Sequence, residues 1–220
     1  MAFLTFVAAV LFPGVFLRHN ELNRIDDFSE VLGFSLILLG FLWRFSARGY
    51  KAEHSKQGAS LIKTGPYSIQ RNPMYFGIGL VGLGYVLVLF NIWAFTLFLI
   101  FFVSRYIVLI FQEEKKLVLN FGQEYKDYMA STPRLVPGIK VFASKEMREI
   151  LPLKLSWVKK EIGAFWATII VILVIESWEG VRSGSLAAYA KELAVFVLFL
   201  ALFFVLIKYL DIDRQTRVIK

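Results

Sequence analysis

Two stretches of this 220-residue chain carry side chains able to do chemistry, Lys63–Tyr75 and Phe111–Pro137. The first reads Thr64-Gly65-Pro66-Tyr67-Ser68-Ile69-Gln70-Arg71-Asn72-Pro73-Met74-Tyr75. Gly-Pro signals a turn, and Pro73 suits the first turn of a helix, where its missing N–H costs nothing. Free backbone N–H groups at that helix start, with Arg71 beside them, suit an anionic group such as a carboxylate. The same residues also fit a plain helix start with an interfacial arginine and two belt tyrosines.

The second stretch begins Gln112-Glu113-Glu114-Lys115-Lys116-Leu117 and runs through Phe121-Gly122-Gln123-Glu124-Tyr125-Lys126-Asp127-Tyr128 to Thr132-Pro133-Arg134-Leu135-Val136-Pro137. Carboxylates at the end of an apolar helix are costly unless something compensates them. A ribose diol, an amino group or a sulfonium would do so, and local pairing with Lys115 and Lys116 is the plainer alternative. Adjacent helical residues diverge by ~100°, so Glu113 and Glu114 are expected to differ in role. Leu117, Phe121, Tyr125 and Tyr128 recur at helical spacing, which predicts an amphipathic helix over 113–130, on the membrane or over the site as a lid. Its aromatic stripe serves either packing or a cofactor.

The elements that must position these residues are apolar. The chain is 57% hydrophobic, 16% aromatic and 19% charged, a balance that belongs in lipid. Its apolar blocks approach the ~20 residues a helix needs to cross the hydrocarbon core. They predict an all-α, polytopic membrane protein of about six transmembrane helices, near 2–17, 30–47, 73–90, 91–111, 163–177 and 193–209. No charge precedes Arg18, so the first block reads as a helix and not as a cleavable signal. The middle pair forms a hairpin turning at Phe90-Asn91, which returns both polar stretches to one membrane surface. Gly77, Gly79, Gly82 and Gly84 thin one stretch of the third helix for close approach by a neighbouring helix or a ligand. Arg105 lies about two turns inside the fourth and either snorkels or lines a polar cavity. The chain divides into 1–57 (two helices), 58–138 (the hairpin and amphipathic helix), a basic linker 139–162, and 163–220 (two further helices).

Basic residues set the orientation. Segments 44–72, 112–162 and 208–220 hold 20 of the 25 Lys and Arg, so they, both termini and the site are expected on the cytoplasmic side. The net charge of +8 follows from this asymmetry and from attraction to anionic headgroups, and no nucleic-acid motif accompanies it. Cysteine is absent, which removes thiolate metal sites and cysteine nucleophiles. His19 and His54 lie in different loops on opposite expected faces, so no metal site is expected. Gly-rich phosphate loops, a Rossmann fingerprint and a serine nucleophile elbow are also missing.

Gly65-Pro66-Tyr67, then Arg71-Asn72-Pro73-Met74-Tyr75, a hairpin, Glu113-Glu114, and Phe121-Gly122 with Tyr125 and Tyr128 before Pro137 together resemble a known superfamily. It is that of the isoprenylcysteine carboxyl methyltransferases and phospholipid methyltransferases, and the resemblance covers about residues 58–138. It implies a membrane-embedded methyltransferase using S-adenosylmethionine, with a lipid-like or prenylated acceptor and membrane lipids as its surroundings. By the same resemblance Ser60, Leu61, Ile62, Tyr67, Asn72, Pro73, Met74, Tyr75, Glu113 and Glu114 fall at or beside cofactor-contacting positions. Arg71 then suits the donor's carboxylate, Glu113 its ribose or amino group, and Arg105 the acceptor's head group. Two departures stand out. Asn72 occupies the place of the family's His, which keeps hydrogen bonding but removes a titratable group. Leu109 stands where the isoprenylcysteine branch carries an Arg. The acceptor therefore stays open among prenyl-cysteine, phospholipid, and small thiol or amine. Membrane sterol reductases share an Arg-x-Pro-x-Tyr hairpin but bind NADPH, whose extra phosphate calls for basic partners where this chain has Glu113-Glu114. A non-enzymatic helical scaffold is the remaining alternative.

Overall fold

A computed structural model describes residues 24–55, 60–89, 92–138, 146–183 and 186–210, and the regular structure in them is helical. In chain order the elements are α1 (Arg24–His54), a 3-10 turn (Gly65–Ser68), α2 (Pro73–Leu89), α3 (Ile92–Phe121), α4 (Gln123–Ser131), α5 (Met147–Ile150), α6 (Leu155–Ser183) and α7 (Leu186–Leu210). The expected helix 2–17, the hairpin turn at 90–91 and both termini lie outside the described residues.

Glycines fix how α2 sits. Gly40 and Gly77 face each other where α1 and α2 cross: a Cβ on Gly40 would lie 2.6 Å from the Gly77 carbonyl oxygen, and one on Gly77 2.8 Å from the Gly40 oxygen. Two turns along, Gly33 and Gly84 repeat the contact. Small residues let helix backbones approach closely, which replaces the hydrophobic drive that lipid does not supply. Gly79 and Gly82 lie on the other side of α2, under the Phe102 and Phe98 rings of α3. All four glycines thus serve packing, on two faces of one helix.

The other side of α1 meets α6 and α7. Phe41 meets Phe165 edge-on with centroids 5.2 Å apart, and Phe165 stacks on Phe203 at 4.7 Å. Such ring pairs contribute ~0.5–1.5 kcal/mol beyond their area burial. Tyr85 ties α2 to α6 by donating its hydroxyl to the Thr168 carbonyl at 3.0 Å.

Among the described residues two helical stretches are long and apolar enough to cross a membrane, Phe28–His54 and Phe95–Phe121; Pro73–Leu89 and Leu200–Tyr209 are apolar but shorter. The α3 stretch leaves Ile100, Phe101, Val103 and Val108 exposed, an arrangement suited to hydrocarbon contact.

Three expectations are corrected. The separate amphipathic helix over 113–130 does not form: α3 continues to Phe121, because no helix breaker intervenes before Gly122, whose φ of 55° starts the turn into α4. Glu113 and Glu114 accordingly lie inside α3, two turns before its end. Third, the basic linker does not run to 162, and its described part is packed. Ile150, Leu151 and Leu153 are buried, α6 starts at Leu155, and Ile150 and Leu151 pack with Trp43 and Ile69.

Candidate active site between the two polar loops

The chain leaving α1 is held against it before α2 begins. Gly65 takes a φ of 57° under the Tyr50 ring, where a Cβ would lie 2.9 Å from ring carbons. Glycine alone satisfies both demands. Tyr50 and Thr64 share a hydroxyl hydrogen bond of 2.8 Å, and Tyr67 donates to the Ala47 carbonyl at 3.4 Å.

Residues 70–72 then join the loop that follows α4. The Arg71 N–H donates to the Pro133 carbonyl at 2.9 Å, and the Asn72 amide to the Arg134 carbonyl at 3.0 Å. Buried Gln70 donates to the Leu135 carbonyl and accepts from the Trp43 indole N–H. Tyr128 on α4 donates to the Tyr67 carbonyl. The two polar stretches are therefore one assembly.

Glu114 is its buried centre, 4% exposed. The Arg71 Nε lies 3.3 Å from its carboxylate and the Arg134 Nε 3.1 Å, while the Asn72 amide donates to it at 3.3 Å. Arg134 also lies over the Phe111 ring at 4.3 Å. Two guanidiniums facing one carboxylate leave one positive charge in surplus. The Arg71 Nε–H makes ionic contact with Glu114 but is not aimed at an oxygen, and it is buried without a hydrogen-bond partner. A buried, under-satisfied donor of this kind is expected where an anionic ligand belongs.

Glu113, one residue earlier, projects elsewhere and is exposed. Its carboxylate lies near the Tyr75 phenol and acts on it electrostatically. Tyr67 is also near: burial, and then the Glu113 charge, push its phenol well above the usual value. Burial, with Glu114 adding to it, pushes Tyr125 up to about 12. Tyr75 packs on Tyr106 of α3 with centroids 5.4 Å apart. Glu113 forms no ion pair among the described residues.

The structure thus brings together Tyr67, Tyr75 and Glu113 on one side, and Arg71, Asn72 and Glu114 on the other. Pro73 and Met74 open α2 beside them. Leu61 and Ile62 are half-buried in the loop before the 3-10 turn, and Ser60 donates to the His54 carbonyl at 3.0 Å. Arg105 stands apart, exposed on α3 and two turns before Glu113. Sequence reasoning gave no role to Arg134, Gln70 or the Tyr128 hydroxyl. An arginine between Pro133 and Pro137 was the available signal for the first.

Residues 28–124 match the phospholipid methyltransferase family. This is a family of membrane methyltransferases, in the group that also holds the isoprenylcysteine enzymes. The match spans α1, α2, α3 and the polar loop between α1 and α2, the elements that carry Arg71, Asn72 and both glutamates. The chain is also similar to a nickel-cobalt-cadmium resistance protein, NccN, of Alcaligenes xylosoxydans xylosoxydans, 29% identical over 171 residues that make up 76% of this chain and 72% of that one. No solved structure matches the chain.

Proposed function

We propose that this protein transfers a methyl group from S-adenosylmethionine to an amphiphilic, membrane-dissolved acceptor. The observation that carries the reading is the division of labour between adjacent glutamates. Glu114 is consumed in holding Arg71, Asn72 and Arg134, whereas Glu113 stands exposed beside Tyr67 and Tyr75 without a cation.

The residues present fit the donor. Glu113 would accept from its ribose hydroxyls or ammonium group, Tyr67 and Tyr75 would wall it, and the surplus charge of the Glu114 cluster, with the unsatisfied Arg71 Nε–H, would hold its carboxylate. When bound, the donor supplies an electrophilic methyl carbon on a sulfonium. The acceptor's lone pair would form the new bond to that carbon as the carbon–sulfur bond broke, and the pair of the broken bond would leave on the sulfur of S-adenosylhomocysteine. The protein contributes alignment and exclusion of water, and no covalent enzyme intermediate is required. The polar assembly lies at one end of α2 and α3, at the expected cytoplasmic surface, while the flanks of α3 are apolar. A lipid-like acceptor would reach it from the bilayer and the water-soluble donor from outside.

Calorimetric titration of the detergent-solubilised protein with S-adenosylhomocysteine, and separately with NADPH, tests the donor. Binding of the first alone is expected. Binding of NADPH alone would replace this reading with a reductase.

A further inference from the structure

We propose that the cleft between the C-terminal part of α1 and the start of α6 binds a phosphate group, in the first instance that of an anionic lipid. Its lining shares no residue with the candidate active site, whose polar loop meets α1 at Ala47 and Tyr50. The cleft is a cavity of about 350 Å³ lined by Arg48, Gly49, Glu53, Trp157, Lys160 and Glu161, among others.

The cleft is built, not merely left over. Gly49 makes room for the Trp157 ring, since a Cβ there would lie 2.3 Å from ring carbons. The Trp157 indole N–H donates to Glu53 at 3.1 Å, and Lys154 pairs with the same carboxylate at 2.7 Å. Across the cleft Glu161, 8% exposed, is held by Arg44 at 3.2 Å and by Arg48. Both carboxylates are therefore engaged with cations. Of the charged residues that line the cleft, Arg48 and Lys160 balance Glu53 and Glu161; Arg44 and Lys154, outside the lining, pair with the same two carboxylates and bring the local balance to two positive charges, the charge of a phosphate monoester. Lys160 forms no ion pair among the described residues. The Arg48 side chain is 57% exposed, so it can keep Glu161 on one edge of its guanidinium and offer the other to a ligand. Paired guanidinium donors match phosphate oxygens, and the Lys160 ammonium adds a point charge.

Position on the molecule favours the lipid source. The cleft lies at the end of the apolar stretch Phe28–His54, the depth at which headgroups sit. From Lys160 the exposed side of α6 continues through Gly163, Ala164 and Ala167 to Ile170, and a Cβ on Gly163 would meet nothing. That strip leaves room for an acyl chain whose phosphate rests on Lys160.

The test is thermal unfolding of the full chain in a nonionic detergent, with dioctanoyl phosphatidic acid, dioctanoylglycerol or inorganic phosphate added. Phosphatidic acid is expected to raise Tm by a few degrees, and dioctanoylglycerol to leave it unchanged. A rise with inorganic phosphate alone as large as with the lipid would keep the phosphate site and reassign its source to a free anion. Lys160→Gln, on the surface and outside the packing, should weaken the apparent affinity roughly tenfold, and Arg48→Gln with Lys160→Gln should abolish the shift. Lys160→Arg should retain it. Stabilisation equal for dioctanoylglycerol, or undiminished in Lys160→Gln, overturns the proposal. The readout is binding at this cleft, so loss of methyl transfer neither supports nor damages it.

Discussion

Asn72 and Glu114 are 42 residues apart in sequence, and the Asn72 amide donates to the Glu114 carboxylate across 3.3 Å in the buried floor of the candidate site. An amide at this position gives Glu114 a hydrogen bond that does not change with pH. The same amide nitrogen donates to the Arg134 carbonyl, so one side chain closes the contact between α3, the start of α2 and the loop after α4.

From this follows a contrast between neighbours. Glu114→Gln leaves Arg71 and Arg134 without their buried counter-charge, and loss of one member of such a cluster costs about 3–5 kcal/mol. Arg71 and Glu114 are 7% and 5% exposed, but Arg134 is 40% exposed and solvent offsets its share, so the lower end of that range is expected. Glu113→Gln, at an exposed position, should leave the unfolding midpoint unchanged and weaken S-adenosylhomocysteine binding about tenfold, or ~1.4 kcal/mol. Thermal unfolding and calorimetry on both variants separate the two effects. Equal Tm values for the two variants would remove Glu114 from its structural role.

The α1–α2 crossing makes a second expectation. Gly77→Ala places a methyl group 2.8 Å from a carbonyl oxygen of α1, and neither backbone can yield as a flexible side chain would. A loss of about 1–3 kcal/mol is expected. Gly163→Ala, in open space, is the control and should be neutral or slightly stabilising, because alanine favours helix. Unfolding of both in the same detergent compares them.

How much of this was legible in sequence differs by feature. The existence of the five long helices among the described residues was, because the apolar blocks and Pro73 announce them, though not all of their ends. That the Glu113 and Glu114 side chains point into different surroundings was too, since neighbouring helical residues must diverge. The ring contacts that use Gly79 and Gly82 were not, because a glycine announces close approach without saying from which side. Nor was the joining of Gln70, Arg71 and Asn72 to 133–135, since long-range pairing between irregular segments leaves no periodicity to read. The continuation of α3 past Phe111 was hidden by a change of polarity, which marks the membrane surface and not the end of a helix.

Alkaline pH should loosen the assembly. Burial raises the phenols of Tyr67, Tyr125 and Tyr128, with Tyr125 at about 12, against an ordinary value of 10.0. The unfolded chain thus releases these protons at lower pH than the folded one. Stability is full below pH ~10 and is lost as pH rises toward the folded-state values. Tyrosine ionisation followed by ultraviolet difference spectroscopy should show a late, cooperative component coincident with unfolding. Tyr128→Phe, which removes the hydrogen bond to the Tyr67 carbonyl, should cost about 1 kcal/mol at neutral pH.

Sidedness is open to direct labelling, since the chain has no native cysteine. Single cysteines at Ser60 and Lys116 are expected to react with an impermeant maleimide only from the cytoplasmic side, where the basic segments fall. Reaction of Cys-substituted Ser60 from the outside alone would invert the orientation proposed for the site.

The acceptor is probed by Arg105. Its side chain is exposed on α3, and eight residues separate it from Glu113, a rise of ~12 Å along the helix and an angular offset of ~80°. That is too far for a contact with Glu113 itself, although the next residue, Tyr106, packs on Tyr75. It is a suitable distance for the polar head of a second molecule whose tail follows the exposed apolar residues Phe101 and Val108. An arginine that orients the acceptor acts on turnover and not on donor affinity. Arg105→Leu should therefore lower kcat/KM for the lipid acceptor by about tenfold while S-adenosylhomocysteine binds as in the wild type. An arginine that only reaches for the membrane surface would leave both unchanged on substitution by Leu. Methyl-transfer assays with prenyl-cysteine, phosphatidylethanolamine and small soluble thiols or amines complete the test. Efficient methylation of a soluble acceptor, with no activity toward either lipid, would show that the apolar flank of α3 has no part in substrate binding.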